Sequence, residues 1–137
     1  MSRPFVIALP VEDRVRSHAF YTEGLGLEAV GPLADDGVPE PLQLRLGPDL
    51  HLMLIPRGGF GWVTAPHETA AAGTSECQLS WRVSTEAEVD AAVGRARAAG
   101  ADVLVEPEVR PWGYSALFAD PDAHLWMVMV PPADWCA

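Results

Sequence analysis

Lysine is absent from the chain: all nine basic residues are arginine, against 19 acidic residues in 137, for a formal charge of −10. A protein that tracks a phosphate backbone needs clustered cations to displace counterions, so nucleic acid is not an expected partner. The arginine-only bias carries no mechanistic weight, and an acidic surface serves solubility more often than it recruits cationic ligands. No run of about 18 apolar residues occurs, so no membrane helix and no membrane partner are expected. Met1-Ser2-Arg3-Pro4-Phe5-Val6-Ile7 lacks the basic stretch and long apolar run of an export signal, and Pro10 and Glu12 interrupt it early, so the expected location is cytoplasmic. Cysteine is scarce. Cys77 and Cys136 stand at neither metal-ligand nor disulfide spacing, and they read as a buried apolar group in a strand and an exposed tail thiol. A nucleophile elbow, a P-loop, a dinucleotide fingerprint and a zinc-protease motif are all missing, which removes support from nucleophilic and phosphate-cradling chemistry.

What remains is a globular composition, 49% hydrophobic and 20% charged. A chain near this length buries about two-thirds of its unfolded surface, enough for one domain or a fused pair of half-domains. Phe5 to Val11 is an apolar run of strand length, and Glu12-Asp13 suit the positive end of a helix over Asp13 to Glu23. On that helix Val15, Ala19 and Phe20, with Leu25 beyond its end, recur near helical spacing, and Gly24 and Gly26 supply the stop. A short strand at Leu27 to Val30, a polar loop over Gly31 to Pro41, and alternating strands at Leu42 to Leu46 and His51 to Ile55 follow. Residues 56–75 show no sustained period and read as a linker, with Gly58-Gly59-Phe60-Gly61 a flexible connector or lid.

The second half repeats the order. A strand at Cys77 to Val83, a helix at Glu86 to Ala99, and strands at Asp102 to Val105, Tyr114 to Ala119 and His124 to Val130 are expected, with Asp120-Pro121-Asp122 a turn. Pro48-Asp49-Leu50-His51-Leu52 matches Pro121-Asp122-Ala123-His124-Leu125, Val11 matches Val83, and Gly26 matches Gly100 at nearly the same offset. The expected fold is therefore α+β, a tandem β-α-β-β-β duplication with module one over about 4–56, a linker over about 57–75 and module two over about 76–131.

Leu9-Pro10-Val11-Glu12-Asp13, Phe20-Tyr21 before Leu25-Gly26, and above all Phe118-Ala119-Asp120-Pro121-Asp122-Ala123-His124-Leu125-Trp126 make the chain resemble the vicinal oxygen chelate superfamily. These are the glyoxalase, bleomycin-resistance and extradiol-dioxygenase relatives, and the resemblance covers nearly the whole chain. It implies a single glyoxalase-like domain whose two modules form a curved, incomplete barrel around a concave pocket, as a homodimer. Enzymes of the family bind a divalent metal there through side chains on four strands. By motif and strand parity those positions fall on Val6, Met53, Gln78 and Met127. A valine, two thioethers and an amide provide no anionic ligand for a hard cation, so no metal and no cofactor are expected, with His51 the one substitute ligand within a step.

Alternation lists the expected ligand face: Gln43, Arg45, His51, Met53, Gln78, Ser80, Arg82, Ser115, Leu117 and Met127. Arg45 and Arg82 are open to two uses, clamping an anionic oxygen of a ligand or forming structural ion pairs with Glu76 or another acid. Trp81 and Trp126 read as core. Trp112, Tyr114, Phe60 and Trp62 either stack on a flat ligand or bury in a dimer interface. The leading expectation is a metal-free binder of a small organic molecule that sequesters a drug or natural product. The alternative is a metal-independent lyase, isomerase or cyclase with Arg45 or Arg82 on an oxyanion and His51, Glu76 or Tyr114 as acid or base. A structural or regulatory module with a filled core comes third.

Overall fold

The computed structural model describes residues 3–136, and the tail thiol of Cys136 lies outside the described side chains. The chain separates into two compact units, Met1–Ala71 and Ala72–Ala137.

In the first unit β1 (Phe5–Val11) leads into α1 (Arg14–Ala19) through Asp13. The Asp13 carboxylate accepts from the backbone N–H of Val15 and Arg16, satisfying two of the donors that every helix start leaves open. The expected helix continues to Gly24, but its last turn, Phe20–Gly24, is a wider π-helical turn. That turn buries Phe20 and Tyr21 with their rings edge to face, 4.9 Å between centroids. Three strands follow: β2 (Glu28–Val30), β3 (Leu42–Gly47) and β4 (Leu50–Pro56). They form one sheet in the order β1-β4-β3-β2, with β1 parallel to β4 and the other pairs antiparallel.

Residues 57–64 depart from the expected linker. Arg57–Thr64 form α2, although three glycines in eight residues each cost a helix about 1 kcal/mol. Tertiary contact overrides propensity: α2 packs on β1 and β4, and its glycines permit close approach. A Cβ on Gly59 would stand 3.3 Å from Ile55 Cγ2, and one on Gly61 3.4 Å from Thr69 Oγ1. Arg57 ties the start of α2 to Glu12 at 3.5 Å and donates to the Ala70 carbonyl.

The second unit repeats the plan with β5 (Gln78–Arg82), α3 (Glu86–Ala98), β6 (Asp102–Arg110), β7 (Gly113–Ala119) and β8 (Leu125–Met129), in the order β5-β8-β7-β6. The tandem β-α-β-β-β pattern, and with it the α+β class, is as the sequence predicts. Gly26 and Gly100, matched in the repeat, both take left-handed backbone after their helices, φ 75° and 102°. Two expectations are corrected. Cys77 precedes β5 and is exposed, not buried in a strand. β6 runs to Arg110 rather than stopping at Val105, because two register shifts let this edge strand carry Pro107 and still pair with β7.

Two glycines give opposite expectations. Gly113 has φ 121°, and a Cβ there would stand 2.2 Å from the Val130 carbonyl oxygen, whereas Gly94 sits within α3 with nothing inside 4 Å. Gly113→Ala should lower unfolding free energy by more than about 1 kcal/mol. Gly94→Ala should raise it by roughly 0.5–1 kcal/mol. Urea unfolding of both variants checks the pair of signs.

Candidate functional site

Each sheet has a buried face and an outward face. In the first unit Leu42, Leu44, Leu52 and Leu54 are buried with Val11, Phe20, Tyr21 and Leu25. Because side chains of directly paired residues share a face, the register places Val6, His51, Arg45 and Glu28 in one outward row and Ala8, Met53, Gln43 and Val30 in the next. In the second unit Leu79, Ala116, Phe118, Trp126 and Val128 are buried, and α3 packs on that sheet with Val89, Ala92, Val93 and Ala96 buried. The outward rows there are Arg82, Met129 and Ser115; Ser80, Met127 and Leu117; and Gln78, Leu125 and Ala119, with the β5 residues exposed and Met129, Ser115 and Ala119 buried.

Of the expected site residues all but Trp112, which lies between β6 and β7, stand on these rows, and their partners are specific. His51 Nδ1 lies 3.3 Å from Gln43 Oε1. Arg45 Nε donates to Glu28 Oε2 at 3.0 Å, so of its two expected uses the ion pair is present, with Glu28 rather than Glu76. Gln78 Nε2 reaches Ser80 Oγ at 3.4 Å and Met127 Sδ at 3.8 Å, which brings together two of the four positions implied for metal ligands. Ser115 is buried, and its hydroxyl accepts the Trp112 indole N–H at 3.0 Å. Trp112 also lies under Arg110, which pairs with Glu108. Trp62 on α2 is 81% exposed.

Sequence reasoning missed Glu28 as the acid beside Arg45 and missed Trp135 altogether. Arg82 lies over the Trp135 ring, 6.0 Å from its centroid. Trp135 falls beyond the last strand, in the 3-10 turn Ala133–Cys136, where neither strand period nor repeat gives a signal.

The sequence profile of the Glyoxalase/Bleomycin resistance protein/Dioxygenase superfamily matches residues 3–128. The chain belongs to that superfamily. No curated protein matches it in sequence. Among solved structures it is similar to a hypothetical protein from S. aureus, at 27% identity, 95% of each chain and TM-score 0.79. A glyoxalase-related enzyme from Fulvimarina pelagi shares 25% identity over 96% of this chain and 90% of the other, TM-score 0.79. TnmS3, an antibiotic binding protein from a Streptomyces species, has the same fold at 24% identity over 96% and 98%, TM-score 0.64.

The divalent metal that the resemblance implies does not fit the residues present. Val6, Met53, Gln78 and Met127 carry no charge, and Gln78 and Met127 already contact each other. Among the described residues no three His, Cys, Asp or Glu side chains gather closely enough to hold an ion. Asp120 is engaged as a turn former, its Oδ1 accepting from the N–H of Asp122 at 2.9 Å and of His124 at 2.8 Å.

Tyr114 is not available to an outward-face reaction. By alternation it shares the α3 side with Ala116 and Phe118, and its hydroxyl donates to Asp90 Oδ1 of α3 at 2.7 Å. That bond to a carboxylate, with lesser contributions from burial and from the charges of Asp90 and Glu86, pushes the phenol up to about 12. A raised folded-state value means that the stabilisation is complete below the ordinary phenol value of 10.0 and is lost as pH rises toward about 12. Tyr114→Phe should therefore narrow the stability gap to wild type as pH climbs through that window, measured by thermal unfolding in alkaline buffers. A gap independent of pH would contradict this assignment.

Proposed function

We propose that the chain is a metal-free binder of a small organic molecule, and that sequestering a drug or natural product is its function. The observation that carries this reading is the chemistry of the outward rows: Met127 beside Gln78 and Ser80 in the second unit, and Met53 beside Gln43 and His51 in the first. Each unit offers such a row, and each is proposed as ligand-contacting surface in its own right. Thioethers adapt to irregular apolar shapes while an amide, a hydroxyl and an imidazole orient the polar edges of a ligand. Polarised metal chemistry would need anionic donors, and Val6, Met53, Gln78 and Met127, the positions that the resemblance implies for metal ligands, offer none. The likeness to TnmS3 is one of fold, and it is compatible with binding as an end in itself.

Tryptophan fluorescence titration across a panel of natural-product antibiotics tests the proposal. Saturable binding without turnover is the expected result, and Met127→Asp should weaken it at least about tenfold by placing a charge against the ligand. Elemental mass spectrometry of protein incubated with Mn, Fe, Ni and Zn should find no stoichiometric metal. A panel without any saturating compound, turnover of the bound compound, or tightly held metal at one ion per chain would each overturn the reading.

Family membership also supports a homodimer as part of the proposal. Sedimentation velocity should give twice the chain mass of 14.7 kDa, and a species of single chain mass would remove that element.

A further inference from the structure

The outward rows hold two arginines, and they are not equivalent. Arg45 is neutralised by Glu28. Arg82, at the end of β5, meets no carboxylate among the described residues, and its one recorded partner is the face of Trp135. A second Arg–Trp pair in the same unit shows what a saturated arrangement looks like. Arg110 sits 4.9 Å from the centroid of Trp112, pairs with Glu108 at 2.6 Å, and the Trp112 N–H is taken by Ser115. Among the described residues Arg82 and Trp135 show none of those closures. The guanidinium stands 6.0 Å from the ring centroid, at the outer limit of cation–π attraction, Arg82 is exposed, and Trp135 is 49% exposed.

A guanidinium carries five N–H donors in a planar fork that matches a carboxylate, and among the described residues none of the five donates to a protein oxygen. The indole beside it presents a flat apolar face. On a chain of net charge −10, an uncompensated cation on the ligand-bearing face is a local exception to a surface that repels anions. Next to it on the same side of β5, Ser80 and Gln78 bond to each other, so they do not compete for the fork.

Resting on the binding function proposed above, we infer that Arg82 and Trp135 form the specificity-determining pair for a planar anionic ligand of the aromatic carboxylate class. Arg82 takes the carboxylate through its fork, and Trp135 stacks on the adjoining ring. The terminal turn, which contributes nothing to either sheet, acquires a role as the aromatic wall of this subsite.

Equilibrium dialysis of the full chain against naphthoate, its neutral amide naphthamide, and cyclohexanecarboxylate tests the pair. Naphthoate should bind at one saturable site, with naphthamide at least about tenfold weaker, the difference one charge-assisted bidentate contact makes. Arg82→Gln should abolish that preference without changing naphthamide, and Arg82→Lys should restore part of it. Trp135→Leu should weaken both aromatic probes and leave cyclohexanecarboxylate unchanged. Circular dichroism verifies that each variant folds. Equal affinity for naphthoate and naphthamide, or a preference that survives Arg82→Gln, overturns the inference. If naphthoate does not saturate but a neutral compound of the antibiotic panel does, the anion subsite falls while the binding function stands. If no compound of either set saturates, both fall.

Discussion

Everything on the outward faces depends on one constraint, the two-residue alternation of strands whose other face must be buried. Leu42, Leu44, Leu52 and Leu54 are almost wholly buried, each contributing about 2 kcal/mol over an exposed position. A slip of β3 by one residue against β4 would turn Leu42 and Leu44 to the outward face and bring Gln43 and Arg45 into the core, where a guanidinium has no partner. The register is thus set by leucines on the buried face. The same holds in the second unit, where Trp126, Val128, Ala116 and Phe118 fix which side of β5 presents Gln78, Ser80 and Arg82.

Charge on those outward rows is arranged rather than accumulated. The Arg45–Glu28 pair is exposed and worth at most about 1 kcal/mol, so its effect is to hold two long side chains across the strand and to cancel a cation. The Arg110–Glu108 pair cancels a second cation within β6, and the Trp112–Ser115 bond holds the neighbouring indole. The other groups of those rows are mostly neutral, among them Met53, Gln43, Met127, Ser80 and Gln78. The fold motifs survive because they cap turns and end helices, as Asp120 and Gly100 do here. The donor positions are free to differ, since nothing in the sheet requires an acid at Val6, Met53, Gln78 or Met127.

Most of the architecture was legible because it rests on short-range rules. Strand alternation, the Asp13 cap and the repeated glycines act within a few residues of one another, and the outward rows follow from parity alone. Residues 57–64 were not legible, because three glycines and no apolar period argue against a helix that contact with β1 and β4 then stabilises. The extension of β6 through Pro107 was hidden for a related reason, since it depends on an edge position and on two bulges rather than on residue type.

The candidate site divides in the same way. Composition and order by themselves determined the tandem repeat, the alternation of faces along each strand, and the absence of anionic side chains at Val6, Met53, Gln78 and Met127, because these depend on spacing and identity alone. Partner choice was decided by tertiary structure. Whether Arg45 met Glu28 or Glu76, whether the Tyr114 hydroxyl found Asp90, and whether Trp135 came to Arg82 all depend on residues distant in the chain arriving within a few ångströms. Long-range proximity of that kind leaves no period in a sequence, since it is set by how buried faces pack and not by the polar side chains that they carry along.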